Sequence, residues 1–307
     1  MIGNKYLKIL FNKEIRFDFL SCKGFFNHMP DKEYLEKRYK ITFGKNIDWE
    51  NPRTFNEKLQ WLKLYNKKSE YTNMVDKYVV REYIANKLGN EYLIPLIGVW
   101  DSPDIINFDA LPEQFVLKCN HNSGGMCICK DKSKLDIDRT KNELNRALKR
   151  DYYLTSREWP YKNVKRKIIA EKYMVDESGT ELKDYKLMCF NGRVKCTLVC
   201  SERYSKDGLK MSFFDREWNE MPFTRHYPKL KKRIEKPISY EKMIEFAEKL
   251  AVGIPFVRID FYDINGHLYF GEITFFPGAG FEKFSPENWD LELGNWINLP
   301  DKKIEED

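Results

Sequence analysis

The stretch from Phe115 to Lys130, FVLKCNHNSGGMCICK, constrains the fold more than any other part of the chain. Two short apolar runs flank a polar loop, residues 120–125, that carries two glycines. This pattern predicts a β-hairpin, and alternation along its first strand puts Lys118 on the same face as the mouth of the loop. Because glycines let backbone N–H groups turn toward one point, the loop suits an anion, and a neighbouring lysine suits a polyphosphate. An ordinary hairpin with a surface lysine is the alternative, since no GxxxxGK[ST] motif is present.

The composition indicates a globular protein. With 307 residues, 42% of them hydrophobic, the chain can form one large domain or two to three small ones. A net charge of +6, from 53 Lys+Arg against 47 Asp+Glu, is too mild to indicate nucleic-acid binding. It suits acidic small molecules or an anionic membrane surface. Seven scattered cysteines without a CxxC pair predict reduced thiols in a cytoplasmic protein, and the spacing of Cys127, Cys129 and His121 disfavours a zinc site.

The first 20 residues carry apolar side chains at roughly helical spacing, with lysines between them. They predict a helix that packs on the main body or, alternatively, one that lies on the inner face of a membrane. No apolar run approaches the roughly 18 residues of a spanning helix, and the interrupting charges do not fit a signal peptide.

Helix signals are clearest after residue 50. Thr54 and Glu57 form a capping box, and an apolar stripe follows to Tyr65. Other helices are predicted over residues 76–88, within 132–151 and over 239–250.

Strand and loop signals cover the rest of the chain. Asn191-Gly192 and Asn265-Gly266 each predict a tight hairpin turn. We also expect a buried strand over 92–100, a strand over 168–174, an exposed aromatic loop over 152–163, an irregular basic segment over 201–237 and a loop-rich aromatic segment over 275–300.

The last hairpin, VRIDFYDINGHLYFGEITFFPGAGF, sets charged residues into apolar strands. Arg258 and Asp260 share one face of the first strand, and Glu272 and Thr274 share a face of the second. Buried carboxylates are costly unless they are paired or bind a metal, and oxygen ligands from two adjacent strands suit Mg²⁺. A salt bridge from Arg258 to Asp260 or Glu272 is the alternative. The phosphate-type loop upstream favours the metal.

The order of these motifs resembles the ATP-grasp superfamily, and more closely the teichuronopeptide-biosynthesis (TupA-like) ATP-grasp family. The resemblance covers roughly residues 45–300 and leaves residues 1–44 outside. It is carried by PRTFNEKLQWLKLY, VDKYVVREYI, LIPLIGVWD, FVLKCNHNSGG, REWPYKN, IIAEKYM, DYKLMCFNG, FVRIDFY and FGEITFFPGAGFEKF.

The resemblance implies that the chain binds ATP and Mg²⁺, and it implies a role for each matching position. Contacts with the nucleotide phosphates would come from Lys77, Lys118 and the loop residues Asn122, Ser123, Gly124 and Gly125. The hinge that frames adenine would consist of Glu171, Lys172, Tyr173 and Met174. Asp184 would reach the ribose, although Glu is usual there and the offset from the hinge is longer than usual.

The same resemblance implies catalytic and metal-binding roles at the last hairpin. Arg258 would face the transferred phosphoryl group, with Lys118 as its catalytic partner. Asp260 and Glu272 would hold Mg²⁺. Thr274 stands where the superfamily commonly has Asn, and its neutral hydroxyl is a poorer ligand for a second ion.

The fold implied is α+β: an ATP-grasp fold of two α+β lobes that sandwich the nucleotide, preceded by an N-terminal helical extension. The expected segments are an N-terminal extension (1–50), a pre-ATP-grasp region (51–114), an ATP-binding lobe with the hairpin loop (115–174) and a catalytic, metal-binding lobe (175–307).

The reaction implied is ATP-dependent joining of a carboxylate to an amine through an acyl phosphate. The family's setting, cell-surface or capsular polysaccharide biosynthesis, implies a uronic acid joined to an amino acid or another amine. Aromatic residues near Trp159 and Trp289 would suit stacking on sugar rings, although aromatic loops more often pack. The alternatives are a sugar or lipid kinase on the same scaffold, a glycosyltransferase, for which no clean DxD motif is present, and a non-catalytic membrane-binding module.

Overall fold

The computed structural model describes residues 9–176, 179, 182–202, 205, 206 and 208–302. In this part of the chain, helices and antiparallel strands combine into an α+β fold. Most of the apolar N-terminal stretch, residues 1–8, lies outside the described residues. None of the described helices is long and apolar enough to cross a lipid bilayer.

The described helices are numbered here in chain order. They are α1 (Lys13–Cys22), α2 (Asp31–Phe43), α3 (Phe55–Tyr65), α4 (Glu70–Val75), α5 (Val80–Lys87), α6 (Ile137–Lys149), α7 (Tyr152–Ser156), α8 (Tyr240–Leu250) and α9 (Asn288–Asn295).

The strands form three antiparallel sheets. They are β1 (Leu96–Trp100), β2 (Phe115–Cys119), β3 (Cys127–Cys129), β4 (Ile168–Lys172), β5 (Asp184–Phe190), β6 (Arg193–Ser201), β7 (Lys210–Asp215), β8 (Thr224–Arg225), β9 (Phe256–Ile264), β10 (His267–Thr274) and β11 (Phe284–Ser285). The four-stranded sheet has the order β1-β4-β2-β3, the five-stranded sheet β10-β9-β5-β6-β7, and β11 pairs with β8.

All three predicted hairpins are confirmed. β2 pairs with β3 around the glycine-bearing loop, β5 pairs with β6, and β9 pairs with β10. At the two Asn-Gly turns the backbone is left-handed at both positions, with φ of 49° at Asn191 and 81° at Gly192, and 54° at Asn265 and 82° at Gly266. Asn and Gly adopt this conformation at little cost, which is why the dipeptide marks such turns.

The capping box is also confirmed, and it starts α3. The Thr54 hydroxyl accepts a hydrogen bond from the Glu57 N–H at 3.2 Å, and the Glu57 carboxylate accepts one from the Thr54 N–H at 3.0 Å. The helix is buried on more than its apolar stripe, since Gln60 and Lys63 are also buried. α3 therefore runs through the interior, where it packs against α9.

Several local predictions are wrong, and packing explains most of them. The strand over 92–100 begins only at Leu96 and is half-buried. The aromatic segment over 152–163 is folded inward: Pro160 is buried and the Trp159 ring stacks on Tyr71 with centroids 5.9 Å apart. Trp289 likewise stacks on Phe223 at 4.4 Å, so these tryptophans have protein partners.

Other elements were missed because their local signals are weak. β7 lies in the segment expected to be irregular, and α9 lies in the segment expected to be loop. α2 begins at Asp31, and its N-cap residue Pro30 provides no side-chain cap; α9 has no side-chain cap either. Tertiary contacts, rather than capping or periodicity, stabilise such short elements.

The close approach of α9 to α3 generates a prediction about Gly294. A β-carbon at this position would lie 2.1 Å from the Arg53 carbonyl oxygen and 2.7 Å from the Phe55 nitrogen, both backbone atoms. Gly294→Ala should therefore lower the free energy of unfolding by ~1–3 kcal/mol, the usual cost of overpacking. Chemical denaturation measures it, with Glu292→Ala on the exposed side of the same helix as control. Equal stability of the two variants would contradict the close packing.

Candidate functional site

A cleft of about 490 Å³ separates the four-stranded sheet from the five-stranded sheet. β2 and β4 face β5, β9 and β10 across this cleft. It therefore brings together the predicted phosphate-binding loop and the charged residues of the last hairpin. Of the predicted site residues, it is lined by Lys77, Lys118, Asn122, Ser123, Gly124, Glu171, Lys172, Tyr173, Met174, Asp184, Arg258, Asp260 and Glu272. The two others are next to lining residues: Gly125 follows Gly124 in the loop, and the Thr274 hydroxyl accepts a hydrogen bond from Arg258 at 3.0 Å.

The loop between β2 and β3 covers one end of the cleft. Gly124 and Gly125 have φ of +87° and +65°, a left-handed conformation that favours glycine. Lys77 reaches this loop from the turn before α5, where its ammonium donates to the Asn122 carbonyl oxygen at 2.8 Å. The base of the loop is thus held in place while its tip stays exposed.

Lys118 is oriented by a carboxylate on the neighbouring strand. Its ammonium lies 2.6 Å from the Glu171 carboxylate, which also contacts the Arg81 guanidinium at 3.3 Å. Because Glu171 is buried, this arrangement holds the Lys118 side chain across the sheet and toward the cleft. The side chain of Glu171, the first residue of the expected adenine hinge, is therefore paired with Lys118 and Arg81.

A β-bulge decides which way the β10 carboxylate points. Up to Phe270 the even-numbered residues of β10 face the core, where Phe270 pairs with Phe261. The register then shifts at Gly271, so that Glu272 pairs with Asp260 and faces the cleft. A β-carbon at Gly271 would lie 3.1 Å from the Asp260 carbonyl oxygen, which is why the bulge suits glycine.

Arg258 joins the carboxylates that this bulge brings together. Its guanidinium contacts both oxygens of Asp260, at 2.7 and 2.8 Å, and the Nη2 atom also donates to Glu272 Oε1 at 2.9 Å and to Thr274 Oγ1 at 3.0 Å. The salt bridge considered as an alternative from the sequence is therefore present. One nitrogen lies within hydrogen-bonding distance of both carboxylates, so their oxygens converge on a single point.

One family model matches this chain. It is described as TupA-like ATPgrasp, and the match covers residues 57–298, well over half of the chain. The chain belongs to the TupA-like ATP-grasp family. Membership confirms the resemblance, the α+β ATP-grasp fold and the predicted class of enzyme, an ATP-dependent ligase.

Solved structures show more distant likenesses. D-alanine–D-alanine ligase from Helicobacter pylori is similar over 79% of this chain and 69% of its own, at 15% identity and a TM-score of 0.41. The Bacillus anthracis enzyme, complexed with ATP, is similar over 66% and 53%, at 16% identity and 0.36. The ATP-grasp ligase PsnB, complexed with a precursor variant, Mg and ADP, is similar over 83% and 65%, at 10% identity and 0.41. Such likenesses carry no argument about what this chain binds, and no curated protein sequence matches it.

Lysines and arginines dominate the electrostatics of this TupA-like site. Burial would raise the pKa of Glu272, but the charges of Lys77, Arg258, Lys186 and Lys118 outweigh it and lower the pKa to about 2. These charges therefore favour the ionised form of Glu272. A carboxylate held in this state is an available ligand for a cation.

The donor set of the TupA-like chain fits Mg²⁺. Asp260 and Glu272 supply two carboxylates from adjacent strands, and their oxygens already converge on a positively charged group. Among the described residues no cluster of three or more His, Cys, Asp or Glu could hold a metal by itself. Two carboxylates suit Mg²⁺, which keeps several waters and takes phosphate oxygens as its remaining ligands.

Lys186 is a site residue that our sequence analysis missed. It lies on β5, lines the cleft, and its ammonium is 2.5 Å from Asp260 and 3.5 Å from Asp184. Burial would lower its pKa, but the two carboxylates outweigh burial and raise it. Alternation in DYKLMCF puts Asp184 and Lys186 on one face, just as it does for Arg258 and Asp260, and this signal could have identified the residue.

Replacing Lys186 tests whether this cation belongs to the site. Lys186→Met keeps the length of the side chain but removes the ammonium that contacts Asp260 and Asp184. Because breaking a buried ion pair is costly, we expect the free energy of unfolding to fall by roughly 3 kcal/mol, and ATP affinity to fall as well. Denaturation and calorimetry measure the two effects. Lys195→Met, at an exposed position on β6, is the control and should change neither the free energy of unfolding nor the ATP affinity. If Lys186→Met were as stable as the control and bound ATP equally well, Lys186 would not belong to the site.

Proposed function

We propose that this chain is an ATP-dependent carboxylate–amine ligase that works through an acyl phosphate in cell-surface or capsular polysaccharide biosynthesis. One observation carries the proposal. Glu272 contacts Arg258 at 2.9 Å and Lys77 at 3.7 Å, and Lys118 and Lys186 line the same cleft as the hinge residues. Four cations in one cleft suit the phosphates of a nucleotide.

The phosphate end of the site consists of lysines and backbone. In this proposal Lys77 and Lys118 bind the nucleotide phosphates, and the loop of Asn122, Ser123, Gly124 and Gly125 closes over them. The left-handed glycines support this role, since they allow backbone N–H groups to point inward. The preformed contact of Lys77 with the loop supports it too.

The nucleoside end lies at the segment after β4. Lys172, Tyr173 and Met174 line the cleft together with Glu171, and they would frame the adenine ring. Asp184, on the opposite wall, would reach the ribose hydroxyls. Its carboxylate is buried and lies near Lys186, so it is held in place rather than free to rotate.

Asp260 and Glu272 would hold Mg²⁺, with Thr274 as a weaker neighbour. The ion would neutralise charge on the phosphate oxygens, which is the usual contribution of Mg²⁺ to phosphoryl transfer. Arg258, once its carboxylates have another partner, would turn its planar guanidinium to the reacting groups. Its fork can bridge carboxylate and phosphoryl oxygens, which favours it for aligning the acid with the γ-phosphate.

The reaction then follows in two steps. A carboxylate oxygen of the acid attacks the γ-phosphorus, the bond to the β-phosphate oxygen breaks, and ADP leaves with the bonding electrons. The amine nitrogen next attacks the carbonyl carbon of the acyl phosphate, inorganic phosphate leaves, and an amide bond remains. The protein mainly positions the reactants and excludes water.

We propose a uronic acid as the acid and an amino acid or another amine as its partner. The family resemblance supports a polysaccharide setting, and the net charge of +6 suits an acidic substrate. Trp159 and Trp289 do not support sugar stacking, because their rings pack against Tyr71 and Phe223.

Hydroxylamine tests the reaction class. It traps acyl phosphates as hydroxamates and leaves phosphate monoesters alone. With ATP, Mg²⁺ and a uronic acid substrate, hydroxamate should form in step with ADP. Accumulation of a stable phosphate ester without hydroxamate would replace the ligase with a sugar kinase on the same scaffold.

Glu272→Gln tests the metal end of the site. The amide keeps the shape of the side chain and removes the charge, so ADP formation should fall on the order of a hundredfold or more, the usual cost of losing one charge-stabilising group. Circular dichroism and thermal unfolding check that the variant folds. Turnover close to that of the wild-type protein would show that Glu272 is structural.

A further inference from the structure

Glu158 is a buried carboxylate that the proposed reaction does not yet use. It belongs to the REWPYKN segment between α7 and β4, and it is only 2% exposed. Within the described ranges, no lysine or arginine nitrogen lies within 4.0 Å of its carboxylate. A buried carboxylate without a directly paired cation is costly, so a ligand that supplies one is an economical explanation.

A lysine connects the Glu158 segment to the turn that follows β10. The Lys63 ammonium, 1% exposed, donates to the Ser156 carbonyl oxygen at 2.9 Å and to the Ala279 carbonyl oxygen at 2.8 Å. Ser156 is two residues before Glu158, and Ala279 lies in the turn that follows β10. Lys63 therefore fixes the distance between the segment and this turn.

Stacked aromatic rings make a second connection. Trp159, next to Glu158, stacks on Tyr71 with centroids 5.9 Å apart, and Tyr71 stacks on Phe275 at 4.1 Å. Phe275 directly follows Thr274, which contacts Arg258. These rings connect the Glu158 segment to the end of β10 that carries Thr274, the partner of Arg258.

Two tyrosines of the same segment share this environment. The rings of Tyr152 and Tyr161 meet edge to face with centroids 4.8 Å apart, and both residues are half-buried. The charge of Glu158 is the main cause of a raised pKa at Tyr152, and Glu272 raises it further. Burial and the same two carboxylates raise the pKa of Tyr161. The Tyr161 backbone N–H also donates to the Glu158 carbonyl oxygen at 3.1 Å, so Glu158 and the two rings lie in one compact segment.

This combination suits a small organic cation. Carboxylates attract an ammonium group, and tyrosine rings add a favourable cation–π interaction. The low exposure of Glu158 limits access to a compact group, such as a primary ammonium. An anionic acid would instead meet two like charges here.

Building on the ligase proposal, we propose that Glu158, Tyr152 and Tyr161 bind the ammonium group of the amine substrate, and that Glu158 takes its proton. Lys63 is a positioning residue, because it connects the backbone beside Glu158 to the turn after β10. The amine would then stand at the Arg258 end of the cleft, where the acyl phosphate forms.

The protons balance in two transfers. The ammonium gives one proton to the Glu158 carboxylate, and the neutral amine attacks the acyl carbon. The nitrogen loses its second proton to the departing phosphate as the C–O bond breaks, which leaves an amide and hydrogen phosphate. Burial raises the pKa of Glu158, while Lys63 and Arg258 lower it in part, and a carboxylate with a raised pKa is a better base for this transfer.

A binding experiment tests the site without knowledge of the acid. The full chain is saturated with Mg²⁺ and a non-hydrolysable ATP analogue, and calorimetry compares ethanolamine with ethylene glycol, which has nearly the same size and no charge. Wild-type protein should prefer ethanolamine by about tenfold or more, as a charge-assisted contact implies. In Glu158→Gln the preference should fall to near one, while affinity for the analogue stays unchanged.

Other variants keep the test decisive. If Glu158→Gln does not fold, Tyr152→Leu and Tyr161→Leu should each weaken ethanolamine binding, since they remove a ring. Glu143→Gln, on the exposed face of α6, is the control and should keep the full preference. Equal binding of the two probes by wild-type protein, or an undiminished preference in Glu158→Gln and the tyrosine variants, would overturn the proposal.

Hydroxamate formation separates this proposal from the ligase proposal. Hydroxylamine is mostly neutral near pH 7 and needs no base, so Glu158→Gln should still form hydroxamate from a uronic acid and ATP while amide formation with ethanolamine is lost. If neither the wild-type protein nor Glu158→Gln forms hydroxamate, the ligase proposal fails whatever binds at Glu158. If the wild-type protein and Glu158→Gln form both the hydroxamate and the ethanolamide equally well, the ligase proposal stands and Glu158 does not contribute to the reaction.

Discussion

The bidentate contact between Arg258 and Asp260 organises the charged face of β9 and β10. Buried charges are stable only when geometry and hydrogen bonding compensate their desolvation, and this pair meets that condition with contacts of 2.7 and 2.8 Å. Glu272 and Lys186 depend on the pair, since each contacts one of its members. In the proposed function, Mg²⁺ takes the place of a protein cation at the carboxylates, and phosphate takes the place of a carboxylate at Arg258. No charge on this face is then left unpaired.

The Gly271 bulge converts an ordinary amphipathic strand into one wall of this site. Without it, strict alternation would place Glu272 on the same side as Phe270, against the core. The extra residue returns Ile273 to the core and turns Glu272 toward Asp260. Loss of the bulge would therefore exchange a buried isoleucine for a buried carboxylate, which is a strong energetic reason for the strand to keep this register.

Local chemistry explains which parts of the fold and site could be predicted. Asn-Gly turns and the Thr54 capping box act through their own backbone, so the sequence alone reveals them. Asp260 and Glu272 could be found because charges in apolar strands are conspicuous. Alternation places Lys186 on one face with Asp184, but only its cross-strand pairing with Asp260 shows that this face belongs to the site. β7 was missed because both of its faces are covered. A pattern within one segment does not reveal the pairing register between two strands that are far apart in the sequence.

The polar side of α3 shows how distant motifs form one unit. Asn56, Gln60 and Lys63, spaced at i, i+4 and i+7, are all at most 1% exposed. Asn56 donates to the carbonyl oxygen of Glu282, Gln60 to that of Gly280 and Lys63 to that of Ala279, at 3.0, 2.8 and 2.8 Å. Residues 278–280 are all left-handed, a conformation that Ala279 adopts only when its surroundings impose it. α3, near the start of the matched region, thus holds the turn that follows β10, so a substitution on the buried polar face of α3 would disturb the candidate site through this turn.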